Sequence, residues 1–174
     1  MSVFRRSPSP PLQANYRRYR PWLRGDFREC CAYCLMHELM AAGEENFEID
    51  HFRPQSRPEL LPDPNAYSNL YYACHVCNHR KRDRWPNEAL MERGYRFIDY
   101  CEERFSQHFR EDASGRWVAL TRAAEYTEER LLLNSPCRRE LRLALRTLAQ
   151  LRGVEAMDWD TTCREHLMKI IVKP

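Results

Sequence analysis

Apolar and acidic residues alternate with period two from Phe47 to Asp50, predicting a strand with Phe47 and Ile49 on one face and Glu48 and Asp50 on the other. The alternation stops at Asp50-His51, and Phe52-Arg53-Pro54 opens a proline-punctuated loop. Upstream, Tyr16, Tyr19, Leu23 and Phe27 recur at helical spacings of three and four, interrupted near Pro21 and Gly25. Downstream, "CHVCNHRKRDR" passes into a basic helix. "RFSQHFRED" and "RWVALT" flank "DASG", predicting a hairpin that turns at Asp112 to Gly115. The clearest helix has Ser135 as N-cap and Pro136 at its first position. Its Leu141, Leu145 and Leu148 share one face, and Arg139, Arg142 and Arg146 read as the solvated side. Residues 1–15, rich in Ser, Pro and Arg, read as a flexible arm. A core over 16–90 and a hairpin and helical extension over 91–174, packed on it, complete the expected organisation.

With 174 residues and 43% hydrophobic content the chain can bury one real core, too little for two comfortable ones. Its net charge of +3 does not by itself announce nucleic-acid binding. Arginine is nevertheless concentrated at Tyr16 to Arg24, His79 to Arg84 and Arg138 to Arg146, and Arg is the cation suited to bidentate phosphate contacts. No apolar run approaches the ~18 residues of a membrane span, and the N-terminus has no apolar export segment. A soluble, cytoplasmic protein without a membrane partner is the expectation.

That setting changes the meaning of the eight cysteines. Disulfides suit small exported proteins, whereas paired cysteines in a reduced compartment suit metal. Cys31 and Cys34 form one C-x-x-C pair, and Cys74 and Cys77 form another. Together they make a four-thiolate set for a structural, tetrahedral Zn²⁺ that leaves no open position for chemistry. Cys30 has no counterpart in the second pair, and Cys101, Cys137 and Cys163 read as packing residues.

Between the two pairs lie Asp50, His51 and Asn69, and Asn78 follows the last ligand. The ordered set "CAYC", "IDHFRP", Asn69-Leu70 and "CHVCNHRK" resembles the zinc-containing type of HNH endonuclease. The resemblance implies an α+β fold: a ββα-metal HNH core stapled by a four-cysteine zinc site, with a helical N-terminal flank and a C-terminal hairpin plus helices. It implies His51 as the general base that takes a proton from water, and Asn69 as the residue that orients the His51 loop. It further implies Asp50 and Asn78 as ligands of a catalytic divalent ion. With Asn at position 78, an oxygen-donor site suited to Mg²⁺ or Mn²⁺ fits better than an imidazole-rich one. The chemistry agrees. Phosphodiester hydrolysis needs a base that titrates near neutrality and a cation with open positions. Glu48 is a further candidate for bonding a metal-bound water.

Arg53, Arg80, Lys81 and Arg82 are the candidate DNA phosphate contacts, on double-stranded DNA for preference. The region beyond Trp85 is weakly similar to bacterial HNH proteins that accompany an ATPase in anti-phage defence, which implies a defence context and an ATPase partner. Two other readings stand beside this one: a zinc module with a vestigial centre that binds nucleic acid or a protein, and an RNA-cleaving toxin on the same scaffold.

Overall fold

The computed structural model describes residues 2–8, 10–161 and 164–172; Cys163, expected to be a packing residue, lies outside them. The fold is α+β and divides into two compact units, Phe4–Glu88 and Ala89–Pro174 with Met1–Val3.

In the Phe4–Glu88 unit, strands β1 (Phe47–His51) and β2 (Leu70–Cys74) pair antiparallel, with Glu48 opposite Ala73, Asp50 opposite Tyr71 and His51 opposite Leu70. Every residue of β2 is buried, as a strand covered on both faces must be. Helix α1 (Arg20–Asp26) packs on β2, while helix α2 (His75–Lys81) follows β2 without a loop and packs on β1. This is the ββα arrangement. Burial along β1 does not follow its apolar alternation: Asp50 is buried and Ile49 is not fully so. The reason is that α2 covers the Glu48 and Asp50 face and supplies it with polar partners.

Within the arm expected over residues 1–15, the stretch from Val3 to Ser7 is tied down by packing and hydrogen bonds. Val3 and Phe4 are buried, and the Phe4 ring lies 4.9 Å from that of Phe27. The Arg6 guanidinium donates to the carbonyls of Leu70 and Tyr67 and sits 4.6 Å above the Tyr67 ring. Ser7 donates through its N–H and hydroxyl to Asp26. Composition cannot anticipate this, because a lone Phe and Arg among prolines carry no periodicity.

The second unit contains most of α3 (Glu88–Glu92), then α4 (Phe105–His108), β3 (Phe109–Glu111), β4 (Trp117–Ala119), α5 (Arg122–Leu131), α6 (Pro136–Arg152) and α7 (Arg164–Ile171). The rings of Phe105, Phe109, Trp117 and Trp159 form its aromatic centre, with neighbouring centroids 4.7 to 6.4 Å apart. The predicted hairpin forms: Asp112 accepts from the N–H groups of Ser114 and Arg116, and Gly115 takes a φ of +72°. Helix α6 starts where expected, but its buried stripe is Arg138, Arg142, Leu145 and Ala149. Arg142 lies 4.5 Å over the Trp117 ring and donates to the carbonyls of Gly115 and Leu133. Arg146 donates to those of Asp112 and Ala113. The arginine stripe thus clamps the hairpin instead of facing solvent. A Cβ at Gly115 would stand 2.8 Å from the Arg139 carbonyl oxygen. Gly115→Ala is therefore expected to lower stability by roughly 1–3 kcal/mol, read as a reduced urea midpoint.

Among the described residues no helix is long and apolar enough to cross a membrane.

Candidate metal centre and catalytic face

The four cysteines of the two C-x-x-C pairs converge. Their Sγ atoms all lie within 4.8 Å of one another, and all four residues are buried. Cys34 Sγ stands 3.8 Å from Cys74 Sγ, which matches the roughly 3.8 Å edge of a tetrahedron with Zn–S bonds of about 2.3 Å. The local chain is shaped for this. Leu35 takes a left-handed φ of +59°, so its N–H reaches back to the Cys31 carbonyl, while the Tyr33 N–H points at Cys31 Sγ. The second pair is placed by the direct passage of β2 into α2, with Cys74 as N-cap and Cys77 in the first turn. Burial, reinforced by the neighbouring thiols, pushes the Cys31 thiol well up from its ordinary pKa. Thiolates packed this closely need a divalent cation among them, so the donor set fits zinc. Cys30 is buried and its thiol donates to the Arg28 carbonyl, apart from the cluster.

His51 closes β1 and is half-buried. Its Nε2 lies 3.0 Å from Asn65 Oδ1, an acceptor, so Nε2 carries the proton and Nδ1 the lone pair. The Tyr16 ring meets the imidazole edge-on at 4.8 Å. Burial lowers the His51 pKa from its ordinary value, against the opposing pull of Asn65 and Asp50. Asn69, buried, binds the loop that begins just after His51. Its Oδ1 accepts from the Arg53 N–H, and its Nδ2 donates to the carbonyls of Arg53 and Pro64. Lys81, fully buried, donates to the His51 carbonyl at 2.7 Å and pairs with Asp50 at 2.9 Å. The Tyr33 hydroxyl, from the first cysteine knuckle, donates to the same Asp50 oxygen.

Two sequence expectations are corrected here. Asp50, expected to hold the catalytic ion, is only 5% exposed and is committed to Lys81 and Tyr33. A divalent ion at that carboxylate would compete with an ammonium already in place. Lys81, expected on DNA, is 0% exposed and has no route to a phosphate. Asn78 meets Glu48 instead, with Nδ2 2.5 Å from Oε2. His75 Nδ1 lies 2.9 Å from the other Glu48 oxygen. Burial alone would raise the Glu48 pKa, but hydrogen bonds from His75 and Asn78 outweigh it and hold the carboxyl below the usual carboxylate range. Glu48, Asn78, Tyr16, Arg17 and Arg20 line one open depression of about 400 Å³. The ionised Glu48 carboxylate suits a hard divalent cation, and Asn78, whose Nδ2 faces it, would have to turn its Oδ1 to the same ion. Arg17 adds an exposed positive charge beside them.

Of the remaining basic candidates, Arg53 and Arg82 are exposed and Arg80 is half-buried. Arg53 donates to the Leu60 carbonyl and Arg82 to the His79 carbonyl. The site residues that sequence reasoning passed over are Asn65, Tyr16 and Tyr33. None carries a signal of its own, because a loop Asn and scattered tyrosines occur widely without such roles.

No curated protein matches the chain. The family model described as HNH endonuclease matches residues 31–84. That span opens on the first zinc-type cysteine and takes in β1, β2 and α2 with His51, Asn69 and Asn78. The chain therefore carries an HNH endonuclease domain over residues 31–84, rather less than half its length.

Proposed function

We propose that the Phe4–Glu88 unit is a divalent-metal-dependent endonuclease that hydrolyses DNA phosphodiester bonds. The observation that carries this reading is the placement of two different groups on β1. The half-exposed imidazole of His51 has its lone pair on Nδ1, and the ionised Glu48 projects from the other face beside Asn78. Nδ1 of His51 takes the proton of a water whose oxygen attacks phosphorus, and the 3′ oxygen departs. Asn65 fixes the imidazole tautomer, and Asn69 and Lys81 hold the backbone on both sides of it. Glu48 and Asn78 would hold a Mg²⁺ or Mn²⁺ ion, which supplies charge neutralisation at the phosphate and leaving oxygen. The cysteine cluster, closed by four protein ligands, serves the fold alone. Arg17 and the exposed Arg53 and Arg82 are suited to flanking phosphates.

Supercoiled plasmid, single-stranded DNA and tRNA offered with a Mg²⁺ and Mn²⁺ series test the proposal. DNA should be cut only when the ion is present. Intact substrates throughout the series would sink the nuclease reading, and cleavage of tRNA alone would replace DNA by RNA.

The acid limb of the rate should follow His51. Because burial lowers its pKa from 6.5, the neutral imidazole persists to lower pH. kcat/KM is expected to fall only as the pH drops through a midpoint below 6.5. A limb centred well above that value would assign the base to another group.

A further inference from the structure

Tyr16, which borders the Glu48 depression, also borders a second and larger hollow, of about 710 Å³. It is lined by Tyr16, Tyr19 and Tyr67, by Gln13, Asn15 and Asn65, and by neighbouring parts of the segments they belong to. Its chemistry differs from that of the first hollow. Among the described residues no Lys or Arg lines it, and the carboxylate of Asp63 in its wall is turned to the Asn65 N–H. A phosphate would find no counter-charge there. A flat, neutral group with hydrogen-bonding edges would find aromatic rings, and amides to read it. Asn15 uses its Oδ1 on the Arg17 N–H and Gln13 its Nε2 on the Pro11 carbonyl. The Asn15 Nδ2 and Gln13 Oε1 atoms are thereby left as a donor and an acceptor for a ligand. The hollow also adjoins the base. Asn65, in its wall, bonds His51 Nε2, and Tyr16, in the same wall, touches the His51 ring.

We propose that this hollow seats the nucleobase of an unpaired nucleotide whose own phosphate lies at His51. The inference rests on the nuclease reading and deepens it by naming the substrate. A paired base is stacked and has its edge occupied, so a site of this kind selects single strands, or duplexes with a base that can leave the stack. Base–aromatic stacking tolerates any sequence, so the hollow confers strand selectivity without base specificity.

Fluorescence anisotropy without added divalent ion, with the full chain carrying His51→Ala to slow turnover, tests this directly. The probes are a labelled single strand about twelve nucleotides long, its duplex, and an all-abasic strand of the same length and charge. The single strand should bind tighter than the duplex. Removing every base should weaken binding by roughly fivefold to a hundredfold. Ala14→Trp, which fills the hollow from an exposed position, should weaken the intact strand comparably and leave binding of the abasic strand unmoved. An abasic strand that binds the unsubstituted hollow as tightly as the intact one, or no binding of either strand, overturns the base pocket. Cleavage by the native chain keeps the two claims apart. Equal binding of the two strands with cleavage intact rejects the pocket alone, and selective binding of the intact strand by a chain that never cleaves rejects the nuclease reading alone.

Discussion

Substitution of Cys77 by serine is expected to unfold the Phe4–Glu88 unit, and zinc chelation is expected to do the same to the native chain. Cys77 Sγ sits in a buried cluster whose atoms lie within 4.8 Å of one another. That cluster joins the Cys31 knuckle to the start of α2. The sheet it secures has two strands, which is marginal without covering elements. Zinc in a four-thiolate site contributes roughly 10–16 kcal/mol to folding near neutral pH, as large as a domain's whole net stability of about 5–15 kcal/mol. Metal analysis should return one tightly held zinc per chain. The far-UV circular dichroism of the Cys77→Ser chain should lose the contribution of this unit. Native-like spectra from a metal-free chain would remove zinc from the account. Cys101, which is half-buried, should accept serine with little change.

The second large effect is expected from Lys81→Met. The side chain is fully buried, pairs with Asp50 at 2.9 Å and donates to the His51 carbonyl at 2.7 Å. Removing one partner of a buried ion pair leaves the other without compensation, at a cost of about 3–5 kcal/mol. Urea unfolding should show that loss. Adding Asp50→Asn should recover a large part of it, since the stranded charge is then gone. A surface lysine of a DNA-binding face would behave differently: its loss would leave stability within about 0.5 kcal/mol and weaken only DNA binding.

Much of this site was legible in the chain. The two C-x-x-C pairs, the strand ending at His51 and the helix after Cys74 follow from spacing, and the hairpin at Asp112 follows from turn chemistry. The partners of Glu48 and Asp50 were also within reach. Two residues along a strand advance about 6.6 Å, and three along a helix about 4.5 Å on nearly one face. Glu48 and Asp50 can therefore face Asn78 and Lys81 in order. The charge run "HRKRDR" hid this, because a lysine among arginines reads as solvated when only its neighbours are counted. The buried arginines of α6 were hidden for a related reason. Periodicity assigns Arg to water, but Arg142 finds carbonyl oxygens and the Trp117 ring as substitutes. The hollow beside His51 was invisible, since it is assembled from segments some fifty residues apart that share no motif.

The most direct test of the account is single-turnover DNA cleavage across a Mn²⁺ titration by the native chain, His51→Ala and Glu48→Gln, each checked for unchanged melting. His51→Ala should cut at least about a hundredfold more slowly at saturating Mn²⁺ with the half-saturating concentration unmoved. Glu48→Gln should shift that concentration upward by about tenfold or more, as loss of a carboxylate ligand does. A His51→Ala chain that cleaves as fast as the native one, or a Glu48→Gln chain with the native Mn²⁺ dependence, would contradict it.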